Sequence, residues 1–219
     1  MNHLDNLNKK YPDLEECLQD IQSAYDVMQK AFQQGKKLLV CGNGGSASDS
    51  EHIVGELMKG FRLTRPIPVD LLQKLVTSYP DHGAYMAAHL QGALPTISLV
   101  SQTALLTAFS NDVAPDLVFA QQVYGYGRPG DVLLALSTSG VSRNVIYAIE
   151  VARTLELQTI GLTGKSGGVM KGLCTVTIQA PWEQTSDIQE RHLAIYHTLC
   201  AMLEDRFFGQ SGIREGDRI

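Results

Sequence analysis

The chain has 219 residues, 44% of them hydrophobic and 19% charged, with a net charge of −5 at neutral pH. That is enough apolar mass for a full α/β core, and the acidic balance excludes a broad basic footprint for nucleic acid or an anionic bilayer. No apolar run reaches the length of a membrane span, and the first residues, Met1-Asn2-His3-Leu4-Asp5-Asn6, lack the apolar centre of a signal peptide, so a cytoplasmic location is expected. Cys17, Cys41, Cys174 and Cys200 stand singly among apolar neighbours and read as buried thiols rather than as disulfides or a thiolate metal site.

From the N-terminus, Leu14, Cys17, Leu18, Ile21, Ala24, Tyr25, Met28, Ala31 and Phe32 recur at intervals of three and four. They predict an amphipathic helix over 13–34, closed by Gly35. A first strand over 37–41 runs into Gly42-Asn43-Gly44-Gly45-Ser46 and then a helical pattern. Glycines let an anion approach the backbone, the helix N-terminus turns peptide N–H groups toward it, and Asn43, Ser46 and Ser48 add side-chain donors. The turn also approaches the dinucleotide fingerprint. Where that motif calls for an acidic residue about twenty positions on, the chain has Phe61-Arg62-Leu63-Thr64-Arg65-Pro66, so no nucleotide cofactor is expected. On the same helix His52 and Glu56 are four apart and share a face, which suits proton transfer or one metal ion, although a pair at this spacing is more often a plain surface contact.

The stretch 65–95 breaks the alternation with prolines at 66, 68, 80 and 95. It reads as an insertion of one or two short helices, either a lid over the ligand or a surface elaboration. Strands follow over 96–100, 131–136, 158–162 and 175–179, with helical patterns such as 145–155 between them, and predict a parallel sheet covered on both faces. The strand over 131–136 ends in Ser137-Thr138-Ser139-Gly140-Val141-Ser142, a second hydroxyl-rich turn into a helix. Two such turns in one chain point to a small phosphorylated ligand. The last helix, over 188–208 with Thr185 or Asp187 as its cap, carries Gln189, Glu190, His192 and His197. His192 reads as a core or interface histidine. The broad apolar surface of this helix and of the N-terminal one suggests packing between subunits, with burial inside the chain as the alternative.

The ordered set Cys41-Gly42-Asn43-Gly44-Gly45-Ser46, His52-x-x-x-Glu56-Leu57, Ser110-Asn111-Asp112, Leu136-Ser137-Thr138-Ser139-Gly140-x-Ser142-x-Asn144-Val145, Leu162-Thr163-Gly164-Lys165-x-Gly167-Gly168 and Ile188-Gln189-Glu190-x-His192 resembles the sugar isomerase (SIS) domain of phosphoheptose isomerases. The resemblance spans the chain apart from 65–95 and the C-terminal tail. It implies a single SIS domain over 1–219, a flavodoxin-like three-layer α/β/α sandwich with flanking N- and C-terminal helices, a homotetramer, and isomerisation of sedoheptulose 7-phosphate to the aldose heptose 7-phosphate. It further implies Glu56 as proton-transferring base and His197, eight positions after Gln189, as the complementary acid/base. The substrate falls to Asn43, Gly44, Gly45 and Ser46, to Asn111 and Asp112, to Ser137, Thr138, Ser139 and Ser142, and to Gln189. Zinc in some members is held by residues that look like His52, Glu56, Gln189 and His197. Two stretches depart from the pattern: Met58-Lys59-Gly60-Phe61 stands for Gly-Arg-Tyr, and Asn111-Asp112-Val113-Ala114-Pro115 for Asn-Asp-Phe-Gly-Tyr. A related non-enzymatic branch lacks the last His, which is present here as His197.

Overall fold

Strands that are buried on both faces need apolar side chains at every position, and in this chain those strands form the centre of the molecule. The structure is a computed structural model that describes residues 3–209, so the last residues of the expected 1–219 span lie outside it. In chain order the elements are α1 (His3–Lys10), a 3-10 turn (Pro12–Cys17), α2 (Leu18–Gln33), β1 (Leu38–Cys41), α3 (Gly45–Met58), α4 (Val69–Ser78), α5 (Gly83–His89), β2 (Thr96–Ser98) and α6 (Thr103–Asp112). After a short 3-10 turn (Pro115–Leu117) come α7 (Val118–Tyr126), β3 (Val132–Leu136), α8 (Arg143–Thr154), β4 (Gln158–Thr163), α9 (Met170–Leu173), β5 (Val176–Gln179) and α10 (Thr185–Phe208).

The five strands are all parallel, in the order β2-β1-β3-β4-β5. Alternate residues of each strand feed opposite cores. Leu38, Val40, Val132 and Leu134 pack with α2, α3 and α10, whereas Leu39, Cys41, Leu133 and Ala135 pack with α7 and α8. The result is the expected flavodoxin-like α/β/α sandwich. In register, Cys41 of β1 lies opposite Ala135 of β3, so the C-terminal ends of these two neighbours sit side by side at the point where strand order reverses.

Several boundaries differ from the sequence expectation. The helix expected over 13–34 is two pieces, because Pro12 opens a tight 3-10 turn before α2, and α1 precedes both. Gly35 does close α2, with φ +69°. The cap of α10 is Gln184, with Thr185 already helical, and no side chain caps it. The insertion forms two helices, α4 and α5, tied at its neck by Gly92 N–H donating to the Arg65 carbonyl at 2.8 Å. The apolar surface of α10 is largely buried within the chain: Ile195, Tyr196, Leu199 and Leu203 face the α1–α2–α3 side, and Ile188 packs at Gly164 after β4. Leu193 of α10 is exposed, and further exposed apolar side chains lie on the insertion, at Leu71, Val76, Tyr79, Tyr85 and Leu90, and at Val113 and Tyr124. The four cysteines are free thiols, and all but Cys174 are buried.

His192 is a core residue, fully buried, with Nε2 3.2 Å from the Thr163 carbonyl. Burial pushes its pKa down to about 4, against a smaller opposing effect of that hydrogen bond. The unfolded chain therefore takes up this proton first as pH falls. His192 contributes its stability in full above the ordinary value of 6.5 and loses it on the way down to about 4. The loss is on the order of 3 kcal/mol. Urea unfolding of the wild type should accordingly weaken between pH 7 and pH 4 by about that much more than unfolding of His192→Gln; parallel pH curves for the two would contradict the assignment.

Candidate active site

Both hydroxyl-rich turns emerge at the reversal of strand order, one from β1 into α3 and one from β3 into α8. They are joined by a reciprocal amide pair, Asn43 Nδ2 donating to Asn144 Oδ1 and Asn144 Nδ2 to Asn43 Oδ1, both at 2.9 Å. Within the second turn Ser137 Oγ lies 3.0 Å from Ser142 Oγ and 3.5 Å from Ser139 Oγ. Ser142 is the cap of α8 yet makes no side-chain cap bond, so its hydroxyl remains available to the turn. Ser46 and Ser137 are buried, while Ser139 is exposed. The glycine-rich stretch after β4 braces this turn. Gly140, at φ +67°, lies so close to the backbone of Gly167 and Gly168 that a Cβ would collide, and Gly164 N–H donates to the Thr138 carbonyl at 3.0 Å.

A second group of residues lies farther along α3. His52 Nε2 is 3.0 Å from Glu56 Oε1 and 3.5 Å from His197 Nε2 on α10, and ligand atoms of the three lie within 4.8 Å of one another. The His52 and His197 rings meet nearly edge to face, with centroids 4.9 Å apart, and Phe61 covers His197 at 5.5 Å. Burial, the largest cause, holds the His197 pKa below the ordinary imidazole value. Glu56 Oε2 is buried and has no hydrogen-bond partner among the described residues. A lone pair in that position calls for a ligand.

Two residues that sequence reasoning missed complete this group. The Tyr196 hydroxyl stands 2.9 Å from His52 Nδ1 and 3.2 Å from Asp49 Oδ1. Burial, and then the Asp49 charge, push this phenol well above its ordinary value, so it keeps its proton. Asp49 is three positions before His52 and on the same helical face, which is a readable signal; that Tyr196 points inward while its neighbour His197 lines the site is not. A cleft of about 390 Å³ opens beside His197, with Phe61, Arg62, Lys10 and His3 among its lining.

The remaining expected residues are placed apart from this group. The Gln189 side chain occupies the space a Cβ on Gly45 would need, so it packs on the first turn of α3. It precedes His197 by eight positions, about 12 Å along a helix rising ~1.5 Å per residue. Three of the four expected metal ligands thus converge, and the Gln189 side chain lies against the first turn of α3. Asn111 and Asp112 end α6 on the surface, bonded to each other at 2.8 Å, and no hydrogen bond among the described residues joins them to the serine turns. Two imidazoles and a carboxylate are a donor set that fits zinc.

This arrangement, a doubly wound sheet with hydroxyl turns at the strand reversal and a His/Glu/His group farther along α3, defines an α/β domain suited to a phosphorylated ligand. The sequence profile of the SIS domain matches residues 3–83 and 80–164. The chain is 40% identical over 192 residues to the phosphoheptose isomerase of Rhodospirillum rubrum, covering 88% of each chain. Against the phosphoheptose isomerase of Akkermansia muciniphila it is 36% identical over 190 residues, covering 87% of each. The solved phosphoheptose isomerase from Francisella tularensis superposes with a TM-score of 0.74 at 29% identity, covering 94% of this chain and 100% of the other. The chain belongs to the SIS-domain family, on the branch of the phosphoheptose isomerases, and is an enzyme of the isomerase class.

Ser139→Ala should leave the ligand-free melting temperature within about 2 °C, the scale of a surface change, and shrink the rise that a saturating sugar phosphate produces. An unchanged rise would remove this hydroxyl from the phosphate site.

Proposed function

We propose that the protein is a cytoplasmic, single-domain aldose–ketose isomerase that interconverts sedoheptulose 7-phosphate and the aldose heptose 7-phosphate. The observation that carries this reading is the meeting of Glu56 and His197 at His52, with one Glu56 oxygen buried and free. The chemistry moves one proton between adjacent carbons and another between the oxygens they bear. Glu56 Oε1 faces His52, which leaves Oε2 to take the carbon-bound proton and return it to the neighbouring carbon. His197, which meets Glu56 at His52, carries the hydroxyl proton from one oxygen to the other. The α3 and α8 N-termini, with Ser46, Ser137, Thr138, Ser139 and Ser142, hold the phosphate, so that binding energy from a remote group orients the reacting carbons. His52, Glu56 and His197 would hold a zinc ion, which supplies Lewis-acid stabilisation of the negative charge on the substrate oxygens. Gln189, seated at Gly45, belongs on this reading to the substrate side, and Asn43, Gly44, Gly45, Asn111 and Asp112 are kept as substrate-binding residues.

The reading includes a homotetramer with shared active sites. Glu56 lies eleven residues beyond Gly45, about 16 Å along α3 at ~1.5 Å per residue, so the acid–base pair and the serine turns stand at different ends of this helix. On this reading the serine turns of one chain are completed by the acid–base pair of another. Exposed apolar side chains on the insertion and at Val113 and Tyr124 support such contacts.

Glu56→Gln and His197→Asn should each lower kcat at least about a hundredfold while keeping the thermal shift with substrate, since each removes a proton-transfer group at nearly constant shape. Wild-type protein that binds phosphosugars and converts none, with or without zinc, would overturn the enzyme reading. Light scattering should give the mass of four chains, and mixing Glu56→Gln protein with Ser139→Ala protein should restore activity; a monomer that is fully active alone would rule out shared sites.

A further inference from the structure

A phenol has one proton to give, and the Tyr196 hydroxyl has two neighbours able to accept it, His52 Nδ1 at 2.9 Å and Asp49 Oδ1 at 3.2 Å. Which one receives it depends on where the His52 ring carries its own proton. The Nε2 side of that ring faces Glu56 Oε1 at 3.0 Å and His197 Nε2 at 3.5 Å. To act there as a ligand, Nε2 must offer its lone pair, so the proton of the neutral ring sits on Nδ1. That proton then points at the Tyr196 oxygen, and the Tyr196 proton is free for the Asp49 carboxylate. Every donor in the sequence finds an acceptor without any side chain moving. Tyr196 is held in place for the task, being 1% exposed, with its ring 5.5 Å from the His52 ring in an edge-to-face contact.

We propose that Asp49 and Tyr196 are positioning residues that act as one relay on His52: Nδ1–H donates to the Tyr196 oxygen, Tyr196 O–H donates to Asp49, and Nε2 is thereby turned as a lone pair toward Glu56 and His197. The relay rests on the zinc reading of that trio. Outer partners of a ligating imidazole fix its tautomer and orientation and raise its basicity, and their loss typically weakens metal binding by about ten- to a hundredfold. Here the carboxylate reaches the imidazole through a phenol rather than directly. Both relay members lie on the two helices that supply the ligands, so ring and ligands are held by the same packing.

The test is the zinc dissociation constant, measured by competition with a chromophoric chelator, for wild type, Tyr196→Phe, Asp49→Asn and the double variant. Melting of the metal-free proteins serves as the fold control, and phenylalanine keeps the packing of the buried ring. Each single variant should bind zinc about tenfold or more weakly than wild type. The double variant should be no weaker than the worse single one, because either loss already breaks the chain. Single variants that match wild type, or losses that multiply in the double variant, would overturn the relay and leave the metal site standing. A wild type that binds no zinc would overturn the metal site and the relay with it.

Discussion

The geometry of the site hangs on one buried ion pair. Arg65 and Glu204 are both fully excluded from solvent, with Arg65 Nε donating to Glu204 Oε1 at 2.8 Å. Taking two such charges out of water costs several kcal/mol per ion and is offset only when the remaining donors and acceptors are filled. Here they are. The Arg65 guanidinium also donates to the carbonyls of Leu57 at 2.8 Å and Glu56 at 2.9 Å, and Glu204 accepts the N–H groups of Phe61 at 2.8 Å and Arg62 at 2.7 Å. One pair thus ties the end of α3, the turn that follows it and the far half of α10 together. Glu56 is held through its own carbonyl, Phe61 is held over His197, and Glu204 lies two turns beyond His197 on α10.

The sheet supplies the other fixed element. Because β1 and β3 are neighbours in the sheet although five α-helices and a strand lie between them in sequence, the two serine-bearing loops open at a single crevice. The Asn43–Asn144 amide pair locks their spacing, and the Gly164–Gly168 stretch supports the second from behind. On the proposed reading, phosphate capture and proton transfer are built on different supports: backbone loops at the sheet edge for the first, side chains on two packed helices for the second. A rigid sheet edge suits an anion that must be bound the same way in every turnover. A helix pair pinned by a buried charge suits groups whose spacing sets the rate.

Much of this was legible in the sequence, and the limits have physical causes. Strands announce themselves as unbroken apolar runs because they are buried on both faces, and the two serine turns announce themselves because glycine and hydroxyl residues follow each strand directly. His52 and Glu56 were readable because a helix fixes their shared face. Contacts between distant segments were not. Arg65 and Glu204 are 139 positions apart, and nothing in either neighbourhood signals the other. The inward turn of Tyr196, the seat of Gln189 at Gly45 and the burial of the α10 apolar surface against α1, α2 and α3 are likewise products of tertiary packing. Pro12 was visible, but a proline at a helix start is compatible with either one helix or a separate 3-10 turn, and packing chose the second.

The central claim is that a protein carboxylate moves a proton between two substrate carbons. Proton and carbon NMR of sedoheptulose 7-phosphate, held with the enzyme in D2O through many passes over the equilibrium, tests this most directly. A base that takes up the carbon-bound proton exposes it to exchange, so deuterium should accumulate at carbon 2 of the aldose and carbon 1 of the ketose. Full conversion with protium retained at both carbons after repeated passage would show a direct hydride shift, and would contradict the role assigned to Glu56.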